Sequence, residues 1–328
     1  MVQRILIGEN EAEQRLDRFL RKYLKDVSLG EIYRMIREKK VKVNGKKSKE
    51  NYRLKEGDII EIYVGLEKKV VEIREEEALQ IVYEDPNLLL INKEAGVLMH
   101  PTREEKEHTL IDRLLYHLYK EGQYNPEKEV TFKPSFVNRL DRNTSGMVIA
   151  AKNYKSLRLL NQFMRDGEIS KYYICLVRGR IDKGFEKRSY LVKDTESNWV
   201  QVDDFPSEDS KEIITIFRPI SFNDGYTLLE VVLVTGKSHQ IRAQLFKLGY
   251  PIIGDPKYGD ERENLYFKRN FDLNCQLLHA YKIEFKDVKE ELGYLRNRVF
   301  KVSLPDYFRN IVDFLKLNLD NINIKKLL

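Results

Sequence analysis

The run Asn138-Arg139-Leu140-Asp141-Arg142-Asn143-Thr144-Ser145-Gly146, followed at once by Met147-Val148-Ile149-Ala150-Ala151, constrains the fold more than any other stretch of the chain. The unbroken apolar run after the glycine predicts a short strand buried in a sheet. The polar residues before it form a connection at the strand's entrance, fed by the turn at Pro134-Ser135 and the apolar pair Phe136-Val137. Loops held between rigid elements are where binding and reactive groups concentrate. Asp141 stands in this loop between two arginines, and an arginine within contact range favours the ionised form of a carboxylate. On the local residues alone, a structural ion pair fits as well as a reactive site.

Charge is unevenly spread. Residues 13–65 hold fifteen Lys and Arg against nine Asp and Glu, an excess equal to the net +6 of all 328 residues. A basic segment of this size suits a polyanion, usually nucleic acid, although a solvated lysine-rich face has the same composition. Leu16, Phe19, Leu20 and Tyr23 recur at helical spacing and predict one amphipathic helix. Ser28 predicts the cap of a second over residues 30–39, with Ile32, Met35 and Ile36 inward and Glu31 completing a capping box. Residues 41–46 read as a strand with an Asn44-Gly45 turn, and residues 58–64 alternate as a further strand.

The length predicts two domains. The first nine residues are too poor in apolar side chains for a signal peptide, and no window approaches a membrane span, so a cytoplasmic chain without membrane contact is expected. Cys175 and Cys275 lack metal-ligand spacing and predict neither a zinc site nor a disulfide. Gly236-Lys237-Ser238 imitates a phosphate-binding loop, but Val231 stands where its first glycine is required, and no Gly-x-Gly-x-x-Gly occurs. A cofactor-free protein is expected. Residues 81–93 predict two short strands around Asp85-Pro86-Asn87, residues 172–177 and 228–235 further strands, and residues 110–119 and 157–164 helices. This irregular mixture predicts an α+β domain.

The Asp141 run resembles the signature of the RluA-type pseudouridine synthases, His-Arg-Leu-Asp-x-x-Thr-Ser-Gly, except that Asn138 replaces the histidine. Lys171-Tyr172-Tyr173 resembles the family's Lys-x-Tyr strand. Thr235-Gly236-Lys237-Ser238-His239-Gln240-Ile241-Arg242 resembles its next block, with Lys237 in place of an arginine, and the match continues through Gly254-Asp255-Pro256-Lys257-Tyr258-Gly259. At the amino terminus, Arg15-Leu16-Asp17, Val41-Lys42-Val43-Asn44-Gly45 and Gly57-Asp58 resemble the RNA-binding module of ribosomal protein S4.

These resemblances imply a small helix-helix-hairpin RNA-binding domain (1–70), a charged linker (71–79), a mixed, mostly antiparallel β catalytic domain with flanking helices (80–310) and a C-terminal tail (311–328). They imply isomerisation of uridine to pseudouridine in RNA, foremost large-subunit ribosomal RNA with transfer RNA as the alternative, without cofactor, metal or obligate protein partner. The rival is a non-catalytic RNA- or ribosome-binding factor retaining the fold. Asp141 would be the essential carboxylate, attacking the sugar or taking a proton from it, with Arg242 as its partner. Tyr173 would stack on the flipped uracil and serve as the base at carbon 5. Arg139 would fill the vacated place in the RNA stack, and Lys171 and Lys237 would contact phosphate or brace the site. Arg34, Arg37, Lys39, Lys40, Lys42, Lys46 and Lys47 are the candidate phosphate contacts of the amino-terminal module. Asn138 cannot protonate, which excludes any role that needs a histidine there.

Overall fold

The structure is a computed structural model that describes residues 2–24, 27–63, 73–102, 104–194 and 199–319. Its amino-terminal part contains β1 (Gln3–Leu6), α1 (Leu16–Tyr23), α2 (Leu29–Arg37), β2 (Val41–Val43) and β3 (Ile59–Ile62). The helices turn their apolar stripes inward, burying Leu16, Phe19 and Leu20 of α1 and Ile32, Met35 and Ile36 of α2. These side chains share one core with Val41, Val43, Ile60 and Ile62 of the sheet. The sheet runs in the order β1-β3-β2, and β1 is a strand that residue pattern did not reveal.

Local chemistry shifts some predicted boundaries. Ser28 caps α2 by accepting from the Glu31 N–H at 3.2 Å, but the Glu31 carboxylate turns to Arg34, so the reciprocal half of the expected capping box is missing. The helix ends at Arg37 rather than at residue 39 because Lys39 adopts a left-handed φ of 62° and the Lys40 N–H reaches back to the Met35 carbonyl. Asn44 and Gly45, both at positive φ, make the predicted turn between Val43 and Lys46. The Asn44 side chain then accepts from the Ile59 N–H and donates to Asp58, which ties β2 to β3.

The second part contains β4 (Ile81–Glu84), β5 (Leu88–Lys93), α3 (Leu110–Lys120), β6 (Ser135–Phe136), β7 (Ser145–Ala151), α4 (Tyr154–Arg165) and β8 (Ile169–Arg178). It continues with β9 (Phe185–Lys193), β10 (Val200–Asp203), β11 (Lys211–Phe222), β12 (Tyr226–Leu233), α5 (Gln240–Lys247), α6 (Glu261–Phe271), β13 (Leu278–Phe285), β14 (Val299–Lys301) and α7 (Asp306–Phe314). Nine strands form a sheet in the order β10-β9-β11-β12-β8-β13-β7-β5-β4, with β14 on β13 and β6 on β7. Strand β7 is the predicted one, buried at every residue. Val148 and Ala150 enter one core with Leu114 and Leu118 of α3, while Met147, Ile149 and Ala151 enter another with Leu159 and Leu160 of α4. Layers on both faces explain why its sequence is continuously apolar.

The two parts touch. The Glu11 carboxylate, 3% exposed, accepts from the Thr131 N–H at 3.1 Å, and the Asn10 side-chain oxygen accepts from the Tyr154 N–H at 3.0 Å where α4 begins. Residues 71 and 72 of the expected linker and 320–328 of the expected tail lie outside the described residues. The rest of that linker is not a loose connection: Ile73 and Leu79 pack against the core, and Glu77 meets Arg113 at 2.5 Å. The division at residue 310 falls inside α7, whose Phe308, Ile311 and Val312 are buried together, so the helix extends the second part past the expected boundary.

Strand β7 runs antiparallel to β5 but parallel to β13, which it meets only where Ser145 and Gly146 face His279 and Ala280. At this crossing Gly146 has φ 112°, and a Cβ there would lie 2.4 Å from the Ala280 carbonyl oxygen. Gly146→Ala is therefore expected to combine overpacking with backbone strain and to cost more than about 2 kcal/mol. Urea unfolding of the purified variant checks this, and an unchanged midpoint would remove the argument for close approach.

Candidate active site

Asp141 lies in the connection between β6 and β7, and three contacts fix that loop. Asn138 accepts from the Ile149 N–H at 2.8 Å and faces the Met147 carbonyl at 3.4 Å, so it braces the loop on β7 with no need to titrate. Lys93 closes β5 from a fully buried position, and its Nζ donates to the carbonyls of Glu94, Val97 and Arg142 at 2.8, 2.8 and 2.7 Å. Burial pulls the Lys93 ammonium down to about 7, against the opposing charge of Asp141. Thr144 accepts from Gln276 at 2.9 Å. Neither flanking arginine pairs with Asp141: Arg142 turns to Glu105 at 3.0 Å and to the Gly96 carbonyl, while Arg139 is exposed without a hydrogen bond or ion pair among the described residues.

The partner of Asp141 comes from far along the chain. Arg242 projects from α5 with its side chain only 7% exposed and donates from Nη1 to Asp141 Oδ2 at 2.7 Å. Its other edge donates from Nε and Nη2 to the two oxygens of Asp255 at 2.7 and 2.9 Å. This fork-to-fork geometry leaves the guanidinium little freedom. Asp255 is buried and also accepts from the N–H groups of Lys257 and Tyr258. Burial alone would raise its pKa, but the Arg242 charge and these donors together hold the carboxyl below the usual range.

Tyr258 underlies the pair, its ring 5.2 Å from the Arg242 guanidinium. Its hydroxyl accepts from the Val200 N–H at 3.0 Å and lies 3.0 Å from His239 Nδ1. The other ring nitrogen, Nε2, lies 4.0 Å from Asp141 Oδ1. Burial lowers the His239 pKa and favours a neutral ring.

Tyr173 of β8 is 4% exposed. Burial first, and then the Asp141 charge, push its phenol pKa up, so it is protonated at neutral pH. Lys171 is two residues earlier on the same strand face, with Nζ 3.4 Å from where a Cβ on Gly236 would stand. It has no hydrogen bond or ion pair among the described residues, and burial lowers its pKa. Lys237 is exposed at the turn into α5, where its N–H donates to Gln240. The structure thus gathers Asp141, Tyr173 and Arg242, sets Lys171 by the Gly236 turn, and leaves Arg139 and Lys237 facing solvent.

In the amino-terminal module Arg34 pairs with Glu31, Lys40 with Glu38, and Lys42 lies over the Tyr63 ring. Arg37, Lys39, Lys46 and Lys47 are exposed with no side-chain hydrogen bond or ion pair among the described residues. Asp255, Tyr258 and Lys93 are site residues that the sequence reading did not assign. Asp255 and Tyr258 stood inside a recognised block, but nothing in their spacing says that they turn back onto Arg242. Among the described residues no cluster of His, Cys, Asp or Glu could hold a metal ion, and no helix is long and apolar enough to cross a membrane.

The sequence pattern of the RNA pseudouridylate synthase family matches residues 87–247, and that of the S4 domain matches residues 14–60. The ribosomal large subunit pseudouridine synthase C of Vibrio vulnificus is 34% identical over 87% of this chain and 88% of its own length. The protein of the same name from Buchnera aphidicola is 32% identical over 93% and 96%. Among solved structures, human RNA pseudouridylate synthase domain containing 4 shares the fold at a TM-score of 0.57 and 20% identity, covering 73% of this chain and 94% of that one. The two matched patterns and these relatives define an RNA-modifying isomerase with an S4 module. The chain belongs to the RNA pseudouridylate synthase family, and it converts uridine to pseudouridine in RNA.

The shared arginine makes a stability prediction. Arg242→Met leaves the buried Asp255 charge without its partner and is expected to cost about 3–5 kcal/mol, whereas Arg242→Met with Asp255→Leu is expected to lose much less. Because the folded pKa of Asp255 is depressed, its contribution is present above the unfolded value near about pH 4 and is lost as pH falls through the lower folded value. Urea midpoints of the two single variants and the double variant form the cycle, and simple additivity would show that the pair is not coupled.

Proposed function

We propose that Asp141 is the reacting carboxylate of this isomerisation and that the substrate is large-subunit ribosomal RNA. The observation that carries the first half is the Asp141 carboxylate, 26% exposed, held from behind by an arginine that is itself locked on a second, buried aspartate. An oriented and accessible carboxylate suits attack at C1′ of the ribose or removal of a ribose proton. The C1′–N1 bond breaks, the uracil turns, C5 bonds to C1′, and the proton lost from C5 is balanced by one gained at N1. Taking the uridine out of the stack costs a few kcal/mol, least in a loop or single strand. Arg139, exposed and uncommitted, fills the space that the base leaves. Tyr173 stacks on the uracil, and Lys171 meets a phosphate.

The names of the bacterial relatives and the basic S4 module support ribosomal RNA as the substrate, and the cytoplasm as the place of action. Arg34, Arg37, Lys39, Lys40, Lys42, Lys46, Lys47 and Lys237 supply phosphate contacts in this reading. Mapping pseudouridines in total RNA from a deletion strain tests it. Loss at a large-subunit position is expected, and loss confined to transfer RNA overturns it.

Asp141→Asn is expected to abolish pseudouridine formation while RNA affinity stays nearly unchanged, because it removes the reacting charge and no phosphate contact. Tyr173→Phe keeps the ring and is expected to bind normally but to react slowly if the hydroxyl is the base at C5. The phenol pKa is raised, so a phenolate base would make the wild-type rate climb with pH through the neutral range. A flat profile together with a fast Tyr173→Phe enzyme would leave the ring with stacking alone.

Residues 1–70 serve affinity in this reading, and the chemistry lies beyond residue 80. A chain lacking the module is expected to need more RNA for half-saturation and to show a shallower salt dependence, by about 0.7–0.9 in log–log slope per lost phosphate contact. A plateau rate that stays far below the full-length value at saturating RNA would mean that the docked module helps to build the site.

A further inference from the structure

The chain has one tryptophan, Trp199, and it lies beside the site rather than in a core. It stands at the start of β10 with 39% of its surface exposed, its ring centroid 4.7 Å from that of Tyr258. Tyr258 is the residue under Arg242, and its hydroxyl is held by the N–H of Val200, the next residue after Trp199. Phe246 flanks Tyr258 from α5 at 6.2 Å and is 47% exposed. Two exposed rings, Trp199 and Phe246, therefore flank the buried tyrosine that lies under the arginine.

Basic side chains border it. Lys257 Nζ lies 5.4 Å from the Trp199 ring, and Lys193, exposed, faces Val200 across the hairpin. Burial and then the nearby charges of Arg242 and Lys193 lower the Lys257 pKa, the mark of cations crowded on one side of the site. The aspartates further along the hairpin are already matched, Asp204 by Lys187 at 2.7 Å and Asp203 by Lys247 at 3.7 Å. Aromatic rings interleaved with lysines suit a single-stranded nucleic acid, whose bases offer π faces and whose phosphates offer charge.

We propose that Trp199 is a stacking platform for a base of the single-stranded RNA next to the target uridine, with Lys257 and Lys193 meeting the adjoining phosphates. This rests on the reading of the site as a uridine isomerase and adds where the flanking strand runs: out over the β9–β10 hairpin along α5. A packed duplex presents no free base face there, so the platform selects targets whose neighbour is unpaired. Trp199 acts in binding and touches none of the reacting atoms.

The single tryptophan supplies its own test. In full-length protein carrying Asp141→Asn, which leaves the RNA unreacted, titration with a transcribed large-subunit ribosomal RNA fragment or a short oligouridylate is expected to quench the Trp199 fluorescence, while duplex RNA is expected to bind without quenching. Trp199→Ala is expected to raise KM about 5- to 150-fold with a much smaller change in kcat, and Trp199→Phe to recover most of the loss. Unchanged fluorescence in RNA-saturated protein overturns the proposal, as does a KM for a folded Trp199→Ala enzyme within about twofold of the wild type. If Trp199→Ala fails to fold, the fluorescence titration decides alone, since it alters no aromatic residue. A quench that appears with protein concentration rather than with RNA would assign the patch to a second copy of the chain and also overturn it. Failure of the wild type to form any pseudouridine would instead count against the functional reading.

Discussion

One buried guanidinium organises this enzyme. Arg242 sits where a charge is costly, and it is tolerated because both edges are occupied, one by Asp255 in the interior and one by Asp141 at the surface. The two carboxylates are not equivalent. Asp255 spends its remaining acceptor capacity on backbone N–H groups and is sealed, so it acts as an anchor. Asp141 keeps an oxygen toward solvent and is the one an RNA can reach. A lone arginine–aspartate pair at this depth would be free to rearrange, whereas a guanidinium fixed by a second aspartate holds the Asp141 carboxylate in place.

That arrangement depends on the sheet. Asp141 enters from β7, Tyr173 from β8 and Arg242 from α5, and these meet because β13 inserts between β7 and β8. The insertion is close enough at Gly146 to exclude even one methyl group. The glycine that ends the signature is therefore a packing requirement of the sheet, and the loop before it inherits its position from that contact. Lys93 adds a second constraint from β5 by tying the Arg142 carbonyl to the end of a buried strand. The Asp141 loop is irregular in backbone yet held at both ends by regular structure.

Much of this was legible in the residues, and the parts that were not share a cause. The buried strand at 147–151, the two helices of the basic module and the strand pair around Asp85-Pro86-Asn87 all write a local periodicity or turn chemistry into sequence. Ion-pair partners do not: the pairing of Asp141 with Arg242 was expected from the family resemblance alone, and the arginines near Asp141 in sequence do not pair with it, whereas Arg242, a hundred and one positions away, is brought back by the fold. Strand β1 escaped for a related reason: Gln3–Leu6 is a short edge strand with little alternation, and it is defined by its pairing with β3. The boundary at 310 failed because a charged surface on α7 hides the buried Phe308, Ile311 and Val312.

Asn138 shows how the loop is braced by a side chain that does not titrate. An asparagine side chain offers one acceptor and one donor at fixed separation, and here both face the backbone of β7, at Ile149 and Met147. A neutral histidine also offers one donor and one acceptor, but its state would depend on pH. With asparagine the brace is the same at every pH in the working range, so no proton taken up or lost at position 138 can disturb the loop. Among the titrating groups around Asp141 are Lys93, whose ammonium burial pulls down to about 7, and His239, whose pKa burial lowers. Of these two, only Lys93 contacts the loop backbone, through the Arg142 carbonyl. Losing its proton would remove one of three donors where three carbonyls converge, together with a positive charge facing Asp141. The loop's order thus leans on a buried lysine on a neighbouring strand, outside the signature that first drew attention to the site.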